Sequence, residues 1–385
     1  MILSVIIVNY NVKYFLEQCL SSLRKAINGS VTLQRKTEVF VVDNASTDAS
    51  VSFLEPLFPG FHFISNHENT GFSKGNNLAL SICSGQFILF LNPDTIVAED
   101  SLDQCLSFFQ MHADAGAVGV RMIDGSGFFL KESKRGFPTA RVSFFKMSGL
   151  AACFPSSRLF AAYYAGHLDP YANHPVEILS GAFMMARKEV LDKTGGFDEQ
   201  FFMYAEDIDL SYRIGKAGFQ NYYLASTTII HFKGESTRRD IRYVKQFYLA
   251  MNQFMKKYFH GASSSLMFFF LNLGVALSQR IAAATLGFQK KSGAAKRKGP
   301  VFIKGEPDDL SNVKKAILKA GIRITDKETE TDEVLFCESE HSSWKSIIHE
   351  MDDAPRKFSW FVHGSGTHAL VSSWSGGKKG EIISW

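Results

Sequence analysis

The sequence has no closely spaced cysteines. Its five, Cys19, Cys83, Cys105, Cys153 and Cys337, are scattered and none forms a CxxC. That argues against a disulfide framework and a zinc knuckle, and reduced thiols are expected. No apolar run reaches the roughly 20 residues a membrane-spanning helix needs. The best candidate, residues 266–277, is interrupted by Ser278-Gln279-Arg280 before residues 281–286. Net charge is also slight, 42 basic against 38 acidic side chains, too little for a nucleic-acid binder. Hydrophobic residues make up 45% and charged residues 21%, which excludes a mostly disordered, collagen-like or polytopic membrane chain. The opening Met1-Ile-Leu-Ser-Val-Ile-Ile-Val-Asn9-Tyr-Asn11 has neither the basic start nor the small-residue cleavage site of a secretory signal. It reads as a buried strand.

What is abundant is phenylalanine, 35 residues of it, and the charge is uneven. Residues 300–385 carry 11 basic and 14 acidic side chains, whereas residues 1–299 carry 31 and 24. An anionic ligand or membrane surface is the natural partner of the first part. Up to about residue 122 the pattern alternates strand and helix: strands at 2–8, 39–42, 61–64, 87–91 and 117–120, helices at 14–27, 72–83 and 102–111. Ser46 or Thr47 is placed to cap a short helix. Continuous apolar strands in βα units imply an α/β fold with a mostly parallel sheet covered on both faces. Ligands then bind at the strands' C-terminal edge. Residues 123–176 read as loops and short helices, 177–187 as a strand, 206–216 as a helix, and 219–224 and 228–231 as two short strands.

Three regions follow. Residues 1–240 form the main unit. Residues 241–299 form a helical segment in which an apolar, Phe-rich stretch precedes Lys290, Lys291, Lys296, Arg297 and Lys298, a composition suited to an anchor on an anionic leaflet or to a buried helix with a basic linker. Residues 300–385 form a small α/β unit without a chemical motif; Gly364-Ser365-Gly366 is a turn.

Three groups of residues could carry chemistry. Asp43-Asn44-Ala45-Ser46-Thr47-Asp48 is either turn chemistry or a carboxylate facing a nucleobase. Asn92-Pro93-Asp94 is either a turn or a strand-end ligand for a hard divalent ion. Glu206, Asp207 and Asp209 open a helix. There they complement its dipole, and Asp209 can pair with Arg213. Glu206 and Asp207 can also point into a cleft, where a carboxylate could act as general base. His231, after a strand, is a structural residue or a metal ligand.

Taken together the set resembles the family 2 glycosyltransferases of GT-A fold, especially the rhamnosyltransferase-like branch. The resemblance spans residues 3–240. It rests on Val-Asn9-Tyr10-Asn11, Val-Asp43-Asn44-Ala-Ser46-Thr-Asp48, Asn69-Thr-Gly71-Phe72-Ser-Lys-Gly75-Asn76-Asn77 and Asn92-Pro93-Asp94-Thr95. It continues through Ser180-Gly181-Ala182-Phe183, Gly196-Phe197-Asp198-Glu199, Glu206-Asp207-Ile-Asp209-Leu-Ser-Tyr-Arg213 and His231. The resemblance implies that Asn9, Asp43, Asn44, Gly71, Phe72, Gly75 and Asn92 surround the nucleotide. It implies that Asp94 and His231 hold a divalent metal, Mn2+ or Mg2+, with Asn92 standing where the family motif has its first Asp. Asp207 would be the base, Glu206 would orient it or contact the acceptor, and Gly181 and Ala182 would line the acceptor pocket. Lys233, Arg238 and Arg239 could close over the phosphates. Lys131, Arg135 and Pro138 would lie on the acceptor side. The implied activity is inverting transfer from a nucleotide-sugar donor, dTDP-rhamnose or a UDP-sugar, to a saccharide acceptor, lipid-linked, at the cytoplasmic face of the membrane, where the protein is peripheral. A nucleotidyltransferase would need a Gly-rich loop after the first strand, where this chain has Asn9-Tyr-Asn-Val-Lys-Tyr. A non-catalytic sugar-nucleotide-binding scaffold is the other alternative, and intact Asp94, Asp207 and His231 argue against it.

Overall fold

A computed structural model describes residues 1–234, 241–259, 299–306, 310–331, 333–354, 359–372 and 380–385. The first elements are β1 (Leu3–Asn9), α1 (Lys13–Gly29), β2 (Thr37–Asp43), α2 (Ser50–Leu54), β3 (His62–Ser65), α3 (Gly71–Leu80) and β4 (Phe87–Leu91). β1 is buried at every position, as a central strand covered on both faces must be. These four strands pair in parallel in the order β3-β2-β1-β4. Asn9 therefore lies opposite Asp43, and Asp43 opposite Ser65, so the polar strand ends share one edge.

The chain continues through β5 (Thr95–Ile96), α4 (Ser101–Met111), β6 (Ala115–Ile123), α5 (Ala140–Met147), α6 (Leu150–Cys153), β7 (His174–Val176), β8 (Phe183–Arg187), α7 (Lys188–Thr194), α8 (Glu206–Lys216), β9 (Gln220–His231) and α9 (Ile241–Tyr258). The sheet extends as β4-β8-β6-β9-β5, with β7 on β9. β8 runs antiparallel to both β4 and β6, because the long stretch before it is no helical crossover. The sheet is thus mixed, with β3-β2-β1-β4 as its parallel half. Two expectations are corrected. The strands expected at 219–224 and 228–231 are one strand, β9, which absorbs the polar Ser226-Thr227 stretch at a register shift opposite Val120/Arg121. Neither Ser46 nor Thr47 caps α2; Ala49 precedes it without a side-chain cap, and Ser46 is engaged elsewhere, as described below.

A second sheet follows: β10 (Val301–Lys304), α10 (Leu310–Lys319), β11 (Ile324–Thr325), β12 (Glu333–Cys337), α11 (Trp344–Asp353), β13 (Ser359–His363), β14 (Ala369–Ser372) and β15 (Ile382–Ser384). Its order is β11-β10-β12-β13-β14-β15, parallel up to β13. One hydrophobic core is common to both sheets: Val12, Phe15, Ile96, Ile230 and Phe232 pack with Val334, Phe336, Trp344, Ile347 and Trp360. Polar contacts reinforce it. The Gln18 amide donates to Thr367 Oγ1 and to the Ala369 carbonyl, both at 2.8 Å, and accepts from the Gly364 N–H. The Glu99 carboxylate accepts from the Trp344 and Lys345 N–H groups at 2.8 and 2.9 Å, satisfying orphan donors at the start of α11. Buried Arg121 of β6 pairs with Asp352.

The apolar and basic stretches at 266–286 and 290–298, and Arg238 and Arg239, lie outside the described residues. No helix among the described residues is long and apolar enough to cross a membrane. All five cysteines are free thiols.

Candidate active site

The parallel strand ends build one side of the site. Asn9 Nδ2 donates to Asp43 Oδ1 at 2.7 Å and to Ser46 Oγ at 3.2 Å. The Ser46 N–H donates to Asp43 Oδ2 at 2.9 Å, and Ser46 Oγ also accepts from the Asn11 N–H. This network is why Ser46 does not cap a helix. Asn44 lies behind it: its amide donates to the Gly71 carbonyl at 3.0 Å and accepts from Asn66 and Thr70. Gly71 has φ +86, and a Cβ there would lie 2.5 Å from the Phe202 carbonyl oxygen. Only glycine fits that close approach, which lets the Phe72 N–H donate to Phe202 O at 2.7 Å. The Phe72 ring meets Phe197 edge-on. Gly75 faces Val8 instead, seating α3 on β1.

The other side comes from the mixed half. β5 pairs with β9 so that Thr95 lies opposite His231, and the Phe232 N–H donates to the Asp94 carbonyl at 3.0 Å. This ladder brings Asp94 Oδ1 within 3.4 Å of His231 Nε2. Asn92 Nδ2 sits 3.4 Å from the same ring nitrogen. Both Asp94 and His231 are buried, at 3% and 7% exposure, and His231 Nδ1 has no hydrogen-bond partner. A carboxylate and an imidazole converging on one point suit a divalent ion of the Mg2+/Mn2+ type. No cluster of three or more His, Cys, Asp or Glu forms a metal cage among the described residues, so remaining ligands would have to come from a bound phosphate or water.

The backbone links this corner to the carboxylates of α8. The Asn92 N–H donates to the Ala182 carbonyl at 2.9 Å, while the Ala182 methyl is buried in the core. The Gly181 N–H donates to Asp207 Oδ2 at 3.2 Å, and a Cβ on Gly181 would meet the Asp207 Cβ at 3.3 Å. Asp94, His231, Asn92, Ala182, Gly181 and Asp207 thus form one continuous line. Asp207 Oδ2 also accepts from Arg135 Nη2 at 2.5 Å, and the same nitrogen donates to the Leu179 carbonyl. Arg135 comes from the irregular stretch before α5. The sequence marked it as acceptor-side; the structure places it on Asp207. Nothing local signals a pairing across 72 residues.

Glu206 differs from its neighbour. It is buried, its Oε2 has no partner, and its carboxyl is pushed up to about 8, first by burial and then by the adjacent Asp207 charge. Glu206 therefore keeps its proton at neutral pH, while the neighbouring Asp207 is paired with Arg135. The linkage has a definite sign. The ordinary value is 4.5, so folding takes up a proton between there and about 8. Stability from this group is full below the lower value and is lost as pH rises through the window. Glu206→Gln, which cannot ionise, should gain on the wild type by up to about 1.4 kcal/mol per pH unit across that window. Denaturant unfolding at pH 5 and pH 8 reads the difference; an equal gap at both would show that Glu206 is already ionised in the folded protein.

Sequence reasoning missed other partners. Asp209 does pair with Arg213, but it is fully buried and also accepts from Lys257 and Tyr258 of α9. Lys233 pairs with Glu132.

Residues 4–195 match the profile described as glycosyl transferase family 2, half of the chain to within a residue. The chain belongs to that family of glycosyltransferases. It is 29% identical over 255 residues to the N-acetylglucosaminyl-diphospho-decaprenol L-rhamnosyltransferase of Mycobacterium tuberculosis, covering 62% of this chain and 78% of that one. It is 28% identical over 179 residues to the rhamnosyltransferase WbbL of Escherichia coli, covering 44% and 63%. Among solved structures, the mannosyltransferase PcManGT from Pyrobaculum calidifontis, in complex with GDP-Man and Mn2+, aligns over 76% of each chain at 19% identity and a TM-score of 0.46.

Proposed function

We propose that the protein is an inverting, metal-assisted glycosyltransferase that moves a hexose from a nucleoside-diphosphate sugar to a hydroxyl of a lipid-linked saccharide, as a peripheral protein at the cytoplasmic face of a membrane. The observation that carries this reading is the continuous line from the Asp94–His231 pair, through Asn92, Ala182 and Gly181, to Asp207. It joins a metal-competent corner to a carboxylate through consecutive contacts. A rhamnosyl donor is the first to test, given the names of the relatives.

In this reading Asn9, Asp43 and Asn44 receive the nucleoside, and Asn9 Oδ1, buried without a partner, is a ready acceptor for a donor on it. Gly71 and Phe72 shape the adjoining wall, and Gly75 supports it from behind. Asp94 and His231 would hold the divalent ion, with Asn92 against the same corner. What such an ion supplies when bound is neutralisation of the charge that grows on the departing diphosphate. Asp207 takes the proton of the acceptor hydroxyl. The freed oxygen forms its bond to the anomeric carbon from the face opposite the diphosphate, whose C–O bond breaks, so the configuration inverts. Arg135 and the Gly181 N–H position Asp207 for that step. Protonated Glu206 can donate to the acceptor.

Nucleotide release from a panel of dTDP-, UDP- and GDP-sugars tests this function. The expectation is metal-dependent release from one donor that EDTA abolishes. Release that is indifferent to EDTA would remove the metal from the mechanism.

A further inference from the structure

We propose that the hairpin of α5 and α6, with the loop to residue 160, is a surface that docks on an anionic lipid bilayer. The proposal rests on the lipid-linked acceptor reading and gives it a place on the molecule. Residues 133–168 contain no aspartate or glutamate but five cations, Lys134, Arg135, Arg141, Lys146 and Arg158. The same stretch exposes large apolar side chains: Phe144 at 45%, Phe154 at 51% and Leu159 at 44%. These are no isolated surface residues. Phe144 contacts Phe145, Phe145 contacts Phe160 edge-on at 4.9 Å, and Phe154 contacts Phe160 at 5.3 Å, so the exposed rings belong to one patch. Arg141 and Arg158 are exposed in the same segment.

A contiguous exposed aromatic patch marks an interaction site. Its charge points to the partner: Lys134 is buried and Arg135 is held by Asp207, but exposed Arg141 and Arg158, in a segment without acids, complement a negatively charged leaflet, with rings entering the acyl boundary and guanidinium groups on the headgroups. The inner side of the segment leads to the active site. Lys146 lies over the Tyr163 ring at 3.3 Å, and Arg135 reaches Asp207. Docking by this face brings the bilayer, and any acceptor carried in it, up to the base.

The test is sedimentation of the full chain with vesicles of phosphatidylcholine, with and without phosphatidylglycerol. Wild type should bind the phosphatidylglycerol vesicles and not the neutral ones. Phe144→Ser/Phe154→Ser should weaken binding by roughly tenfold or more, and Arg141→Gln/Arg158→Gln by about fivefold per charge. Both sets change exposed side chains and leave residues 260–298 intact. Nucleotide binding checks that each variant is folded. Full binding by both variants, or no binding by wild type, overturns the proposal. So does a shift of the Ser variant from dimer to monomer with vesicle binding unchanged, which would make the patch an interface between copies. Donor turnover without acceptor is measured in parallel. If turnover persists while vesicle binding is absent, docking alone fails; if nucleotide binding and turnover are both absent, the proposed donor site fails with it.

Discussion

Asp207→Asn is expected to reduce sugar transfer by roughly 10³-fold and to leave nucleotide affinity unchanged. The amide keeps the side chain's shape and can still accept from the Gly181 N–H, as the carboxylate does at 3.2 Å. It has no charge to hold Arg135, 2.5 Å away, and it cannot take a proton from an acceptor hydroxyl. Nucleotide affinity should survive because the Asn9–Asp43–Ser46 network shares no bond with α8. Initial rates at saturating donor, beside nucleotide titrations of both proteins, separate the two effects. A variant that turns over near the wild-type rate would take the base role from Asp207. Glu206, holding its proton at neutral pH, is a poor substitute.

Trp344→Ala is expected to cost about 3–5 kcal/mol and to abolish nucleotide binding in the same unfolding transition. Trp344 is fully buried in the core common to the two sheets. Ile96 and Ile230 of the same core pair across the β5–β9 ladder next to Thr95 and His231, so a cavity in this core weakens the support of the Asp94–His231 corner. Trp344→Phe should be far milder, since most of the ring volume remains and the indole N–H it removes has no hydrogen-bond partner. Thermal unfolding followed by tryptophan fluorescence and by bound nucleotide checks the coupling. Two separated transitions would mean that residues 300–385 fold independently of the site they back. Residues 300–385, which carry no motif, pack against the elements that hold the Asp94–His231 corner.

Much of the parallel half is legible in the sequence because β1, β2 and β4 contain continuous apolar runs ended by a polar residue, as at Val8-Asn9, Val42-Asp43 and Leu91-Asn92. α8 is legible from its acids at one end and its base followed by Gly218 at the other. The mixed half is harder. β9 contains Ser226 and Thr227, which read as a break but fall at a register shift. β5 has two residues, too few for any periodicity to show. The candidate residues themselves stand at strand ends and a helix start, where local pattern finds them. Their partners do not. Arg135 meets Asp207, Glu99 caps α11 from 245 residues away, and Gln18, polar on a helix face that reads as solvent-facing, binds Thr367. Those contacts depend on how elements far apart in sequence come together, and no local spacing encodes them.

In the proposed mechanism Asp207 drives a single displacement at the anomeric carbon. The most direct measurement is the anomeric configuration of the product, read by proton NMR of the newly glycosylated acceptor against that of the donor. Inversion of the donor's configuration is expected. Retention would require a second displacement or a different nucleophile and would contradict it.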